Sequence, residues 1–227
     1  MRAARGITSR ETGLAAGRRA LIELRAAAAK ELHERHGDMT MSRMVLLGLL
    51  ARAEAFHRSV LEAITANNPF ATFTLLRSYS ENAALMVWLQ QSPGRMARLD
   101  LADPDARGPK IGVIVQAAHE RLQGFGAIYE QLSTFAHPAS AGLLVSWRDG
   151  GDDVPEGAFE WNSAPSFKSD TDAEMACFWL VELSEFETPA VRAHTPRYAD
   201  QCSNATEQTP RRSARQRTCC RGPVRVW

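Results

Sequence analysis

Apolar residues recur at steps of three and four along much of the chain, which is the period of an amphipathic α-helix. The clearest stripe predicts a helix over about residues 42–67 and consists of Val45, Leu49, Ala53, Phe56, Val60 and Ile64. Similar stripes predict helices over about residues 18–36, 69–91, 110–136 and 169–187. We therefore expect a mainly α protein, a bundle of four to five helices that forms one domain over residues 18–188.

Three parts of the chain depart from this period. The runs 143–147 and 158–161 flank a stretch rich in Asp and Gly, which predicts a short extended, hairpin-like insertion. Residues 1–17 contain scattered Gly and Arg and predict a flexible N-terminal arm. Residues 189–227 are rich in Arg, Thr and Pro without an apolar period, which predicts a disordered basic tail. The change of character there is abrupt enough that a shifted reading frame is an open alternative.

The segment 69–91 differs from the other predicted helices. Asn68 before Pro69 is a helix start signal, because Asn caps the first turn and Pro fits its first position. The segment is apolar on most sides, yet Arg77 and Glu81 lie among the apolar residues. A helix of this kind is usually enclosed by other helices. We therefore expect the two charged side chains to be partly buried and to need partners.

Charge and cysteine content restrict the function classes. The chain has a net charge of +1, but residues 26–188 carry 13 basic and 22 acidic residues. An acidic body disfavours phosphate backbones. The four cysteines show no metal-ligand spacing, and no apolar run is long enough to span a membrane or to form a secretory signal. We expect a cytoplasmic protein with no metal, no cofactor and no membrane partner.

A polar ridge closes the fourth predicted helix. Tyr129, Ser133 and His137 are spaced i, i+4, i+8 and lie on one edge of it, and Pro138 ends the helix. On the third predicted helix, Arg77 and Glu81 form an i, i+4 pair. If the two helices are antiparallel neighbours, these five side chains meet.

Two interpretations of this cluster remain open. In the first, Glu81 or Tyr129 orients His137 in a polar pocket, where His137 acts as an acid, a base or a hydrogen-bond donor. His137 and Glu81 are then the candidate catalytic residues. In the second, the cluster is a hydrogen-bond network that fixes the register of the two helices.

The same residues carry a resemblance. The combination of Arg77-x3-Glu81 with Tyr129-x2-Leu132-Ser133-x3-His137-Pro138 resembles a group of uncharacterised all-helical bacterial proteins, some with phage- or defence-linked neighbours. The resemblance covers about residues 40–188. It implies a helical bundle in which these residues form a shared site, and it implies no established activity.

A second motif gives an alternative function. Arg52-x4-His57 is similar to the motif of HEPN-type ribonucleases, which are helical bundles that cut RNA as dimers without a metal. Here Ala53 replaces the polar residue that usually follows the Arg. Arg52 and His57 are five positions apart, which separates them by about 140° around a helix.

Glu54-x2-His57 matches half of a di-iron motif, and its second half is missing.

The function favoured by the sequence is an interaction or small-ligand-binding module, with a link to phage defence implied by the resemblance. Its expected partner is a protein or a small ligand, and a homodimer is compatible with the pattern. RNA is a partner only under the ribonuclease alternative.

Overall fold

The computed structural model describes residues 5–33, 40–91, 95, 99, 108–136, 146–149 and 159–187. Their elements are α1 (Arg10–His33), α2 (Met41–Thr65), α3 (Pro69–Gln90), α4 (Ile111–His119), α5 (Phe125–Ala136), β1 (Trp147–Asp149), β2 (Phe159–Trp161) and α6 (170–187). The predicted fold class, a mainly α-helical bundle, is confirmed. No helix in the described part of the chain is long and apolar enough to cross a membrane. The predicted tail, residues 189–227, lies outside the described residues.

Helix α3 is the central element. It packs against α2, α4 and α5, and 13 of its 22 residues are buried, as expected for a helix that is apolar on most sides. The Asn68 side chain accepts a hydrogen bond of 3.0 Å from the Ala71 amide, and Pro69 occupies the first turn. The predicted start of this helix is therefore observed, together with its predicted cap.

Helices α3 and α5 run antiparallel. The Phe73 ring, near the start of α3, stacks on Phe135, near the end of α5, with 4.5 Å between the ring centroids. Two turns further along α3, Glu81 contacts Tyr129, which lies earlier in α5. Later residues of α3 thus contact earlier residues of α5, which is the antiparallel arrangement. In this arrangement Tyr129, on the ridge of α5, contacts Glu81 of the charged pair on α3.

The predicted flexible arm over residues 1–17 is wrong for its described part. Helix α1 begins at Arg10, and Ile7 is only 2% exposed. Arg5 forms ion pairs with Glu182, at 2.7 Å, and with Glu185. The glycines that suggested flexibility instead permit close packing, since a Cβ at Gly13 would lie 2.7 Å from the Cβ of Cys177 on α6.

The predicted single helix over residues 110–136 is also wrong, because the chain breaks between α4 and α5. Gly124, directly before α5, has φ +84, a left-handed conformation that interrupts a helical path and that favours glycine. Gly126 then leaves room for the His119 ring, which a Cβ at that position would meet. The bend brings both short helices against α3.

The predicted insertion is an antiparallel hairpin. β1 pairs with β2, with Trp147 opposite Trp161 and Asp149 opposite Phe159. The first strand begins at the last residue of the predicted run 143–147, and residues 141–145 lie outside the described part of the chain. Helix α6 follows, and Ser169 and Asp172 cap its start reciprocally through backbone amides.

Candidate functional site

Three of the five predicted site residues meet between α3 and α5. The Arg77 guanidinium donates to the Tyr129 hydroxyl at 3.4 Å and pairs with Glu81 at 3.4 Å. The Tyr129 hydroxyl in turn donates to the same Glu81 oxygen at 3.3 Å. Together with Ser133, one turn further along α5, these residues are called the α3–α5 cluster below.

The α3–α5 cluster is partly open to solvent. The Arg77 and Glu81 side chains are 26% and 30% exposed. The guanidinium also lies over the Tyr129 ring, with 5.8 Å to the centroid, and that ring stacks on Phe125 at 6.3 Å. The ring contacts fix the position of the tyrosine hydroxyl. The polar contacts are at the long end of the hydrogen-bond range, so each of them is weak.

Two polar atoms of the cluster have no hydrogen-bond partner within the part of the chain that the structure describes. They are Nε of Arg77 and Oγ of Ser133, and both are buried. A guanidinium N–H is always a donor, and a hydroxyl can donate as well as accept. A buried polar atom without a partner costs about 1–3 kcal/mol. The cluster therefore contains donor capacity that an acceptor from outside would satisfy.

His137, the fifth predicted site residue, lies outside the described residues, as does Pro138. Helix α5 is described up to Ala136, so the ridge of Tyr129 and Ser133 leads directly toward His137 along the sequence. The role of His137, and its candidacy with Glu81 as a catalytic residue, stays a prediction.

The predicted ribonuclease pair is not brought together. Arg52 is exposed and lies over the Phe56 ring, with 5.3 Å to the centroid. His57 is fully buried, and its Nε2 donates to the Gly17 carbonyl at 2.8 Å. Burial lowers the pKa of His57 to about 4, although the hydrogen bond to Gly17 opposes the shift. A neutral, enclosed imidazole cannot reach an RNA strand, so this assignment of the pair is wrong.

Glu54, the carboxylate of the half di-iron motif, forms ion pairs with two arginines. Glu54 accepts from Arg25 at 2.7 Å and from Arg58 at 2.6 Å. The bond from Arg25 is the main cause that lowers the pKa of this carboxyl. Glu54 is therefore an ion-pair partner that links α2 to α1.

A second polar cluster lies on the other side of α3 and was missed by the sequence analysis. It consists of Tyr79, Asn82 and Glu187, with His57 beside the Tyr79 ring at 5.9 Å between centroids. The Asn82 amide donates to Oε1 of Glu187 at 2.9 Å and to the Leu49 carbonyl at 3.1 Å. We call these four residues the buried cluster.

The buried cluster is shielded from water. Glu187 is fully buried, and burial raises its pKa to about 8 against the opposing effect of the Asn82 and Tyr79 side chains. Burial likewise raises the pKa of Tyr79, and the nearby charge of Glu187 adds to this shift. The Tyr79 hydroxyl lies near Glu187 but lacks the geometry of a good hydrogen bond. The sequence signal for this cluster is the spacing of Leu180, Ser184 and Glu187, which continues one face of α6 to its last turn.

The fold and its sites define a helical bundle with a partly exposed charged cluster on one side of the central helix and a buried polar cluster on the other. No protein-family model, curated protein or solved structure matches the chain. The resemblance to the all-helical bacterial group therefore stays a prediction.

Proposed function

We propose that the protein is a binding module whose α3–α5 cluster takes a small ligand through a carboxylate or carbonyl oxygen. The observation that carries this proposal is the buried Nε of the Arg77 guanidinium, which has no hydrogen-bond partner among the described residues, whereas Nη2 of the same group contacts Glu81 and Tyr129. A guanidinium binds carboxylates through two parallel N–H groups. The unpartnered hydroxyl of Ser133 adds a further group for the same ligand.

The energetics of the existing contacts favour exchange with a ligand. A partly exposed ion pair contributes only about 0–1 kcal/mol to stability. The contacts of 3.3 and 3.4 Å are longer than the usual 2.7–2.9 Å of charge-assisted hydrogen bonds. A carboxylate that forms short bonds to Arg77 therefore replaces weak contacts with stronger ones. Tyr129, fixed by its stack on Phe125, supplies a rigid wall for this ligand.

The proposed binding depends on Arg77 and Ser133 and does not require His137. Tyr129 and Ser133 lie four residues apart on α5, so a ligand long enough to follow this helix can contact both side chains. The link to phage defence, implied by the resemblance, concerns the identity of the ligand or partner. The binding chemistry proposed for Arg77 is independent of it.

Calorimetric titration with defined probes tests the proposal. Sodium acetate, sodium succinate and sodium phosphate are titrated into the full chain, with sodium chloride at matched ionic strength as the blank. We expect saturable binding of a carboxylate probe that is lost in Arg77→Met and weakened in Ser133→Ala. Arg52→Met, which removes an exposed Arg elsewhere, is the matched control and keeps binding.

The same variants separate this function from a structural role. A bound ligand raises the free energy of unfolding by about 2.7 kcal/mol at a hundredfold excess over Kd. Arg77→Met should abolish this gain while the ligand-free protein changes little. The proposal fails if no probe binds saturably, or if Arg77→Met unfolds the bundle as expected for a network that fixes helix register.

A further inference from the structure

Glu187 is enclosed in the last described turn of α6 with few polar neighbours. Its Oε1 accepts from the Asn82 amide, and in the described part of the chain no Lys or Arg forms an ion pair with it. The titratable groups facing it are Tyr79 from α3 and, next to that ring, His57 from α2. From the N-terminal segment, Arg5 pairs with Glu182 and Glu185 on the outer side of α6 instead.

Two oxygens of this pair have no hydrogen-bond partner among the described residues. They are Oε2 of Glu187 and Oδ1 of Asn82, and both are buried. When the carboxyl is ionised both atoms only accept, so they cannot satisfy each other or be satisfied by a reoriented amide. One proton on Oε2 changes this, because a carboxylic acid donates one hydrogen bond. It can donate to Oδ1 of Asn82, which closes a ring of two hydrogen bonds, or to the Tyr79 hydroxyl.

We propose that Glu187 is a proton-binding site, and that the protonated carboxyl, paired with Asn82, holds the last turn of α6 against α2 and α3. Asn82 connects the three helices, since its amide also donates to the Leu49 carbonyl of α2. When the proton leaves, an ionised carboxylate remains in a fully buried place without a cation, which is strongly unfavourable. The turn is then released so that the carboxylate reaches water.

This inference is independent of the ligand proposed for the α3–α5 cluster. Glu81 and Arg77 lie on the side of α3 that faces α5, whereas Asn82 and Tyr79 face Glu187. A protein that binds no carboxylate at Arg77 can still bind a proton at Glu187, and the reverse also holds.

Carbon-13 spectroscopy of glutamate-labelled protein tests proton binding directly. At pH 6.5 we expect one side-chain carboxyl carbon of the full chain to resonate as a protonated acid and to titrate near pH 8. Glu187→Gln, which mimics the neutral acid, should remove that resonance. Glu185→Gln, on the exposed side of the same helix, should leave it in place. If every glutamate carbon titrates near its ordinary range around pH 4.5, the proposal is wrong.

Hydrogen exchange of the end of α6 tests the release. At pH 8.5 the amides of residues 180–187 should exchange several-fold faster in the wild type than in Glu187→Gln, and at pH 6.5 the two should agree. Comparison at equal pH removes the intrinsic effect of pH on exchange. Equal exchange in both proteins at both values would overturn the release, even with a protonated Glu187. The carbon-13 titration of the wild type needs no variant, so proton binding can be tested even if Glu187→Gln folds poorly.

Discussion

The two sides of α3 differ in solvent access, and this difference affects the charge state of the carboxyl group on each side. On the side facing α5, Glu81 is about one third exposed and pairs with a cation. On the opposite side, Glu187 is fully buried and accepts a hydrogen bond from the neutral amide of Asn82. Both clusters contain a carboxyl and a tyrosine. Solvent access, more than residue type, therefore determines whether a carboxyl is ionised or protonated.

The energetics of the two sides also differ. An exposed or half-exposed ion pair contributes about 0–1 kcal/mol, so the α3–α5 cluster can change with little effect on the fold. A buried polar group that loses its partner costs about 1–3 kcal/mol, so the buried cluster tolerates little change. The contrast is consistent with our proposal of binding at the first cluster and a structural role for the second, and the following substitutions test it.

Asn82→Ala should have the largest effect. It removes the hydrogen bond to Glu187 and the one to Leu49, and it leaves a cavity, so we expect a loss of about 3 kcal/mol in the free energy of unfolding. Urea unfolding at pH 6.5 measures this loss. Glu81→Ala, at the adjacent position on the other side of α3, is the control and should cost less than about 1 kcal/mol. Equal losses would remove the distinction between the two clusters.

Gly13→Ala tests the packing that encloses the buried side. The new Cβ would lie 2.7 Å from the Cβ of Cys177, so α1 and α6 must separate, at a cost of about 2 kcal/mol. Gly48→Ala is the matched control, because nothing lies within 4 Å of its Cβ position on α2. That change should stabilise the helix by about 1 kcal/mol. A stabilising Gly13→Ala would show that residues 5–17 do not pack as described.

Tyr129→Phe should have the smallest effect on stability. It removes one weak donor and acceptor but keeps the ring stack on Phe125, so we expect a loss below about 1 kcal/mol. Its effect should appear in the calorimetric titration, as weaker carboxylate binding. A loss as large as that of Asn82→Ala would mean that the α3–α5 cluster is mainly structural.

The sequence predicts those features that depend on neighbours along the chain. The stripe of α2, the cap at Asn68 and the i, i+4 pair of Arg77 with Glu81 are local, and all three are observed. The meeting of this pair with Tyr129 required one further assumption, antiparallel neighbours, which holds. Whether the cluster is a functional site remains a prediction.

The features that the sequence did not reveal depend on what lies opposite in space. Gly13 indicates flexibility in the sequence, but against Cys177 it permits close contact between two helices. Glu187 is an acidic residue, for which exposure is the usual outcome, yet it is fully buried and accepts a hydrogen bond from Asn82 of α3. His57 was assigned to an accessible pair, yet α1 covers it through Gly17.

The most direct test of the account is the pH dependence of stability in two Glu→Gln variants on opposite sides of α3. Burial raises the pKa of Glu187 to about 8 from 4.5, so the folded state keeps a proton that the unfolded chain loses. Stability therefore falls as pH rises through this window. His57, with a folded pKa of about 4 against 6.5, makes stability fall toward acid below pH 6.5 and offsets Glu187 there. The thiol of Cys177 contributes only above pH 9.

Among the described groups whose pKa is shifted, Glu187 is the one that changes stability between pH 6.5 and pH 8. Across it, urea unfolding of the wild type should lose about 2 kcal/mol, the equivalent of 1.5 pH units of one linked proton. Glu81→Gln should show the same fall, and Glu187→Gln should show none. A wild type with constant stability over this range, or a Glu187→Gln variant that falls in parallel with it, would contradict the account.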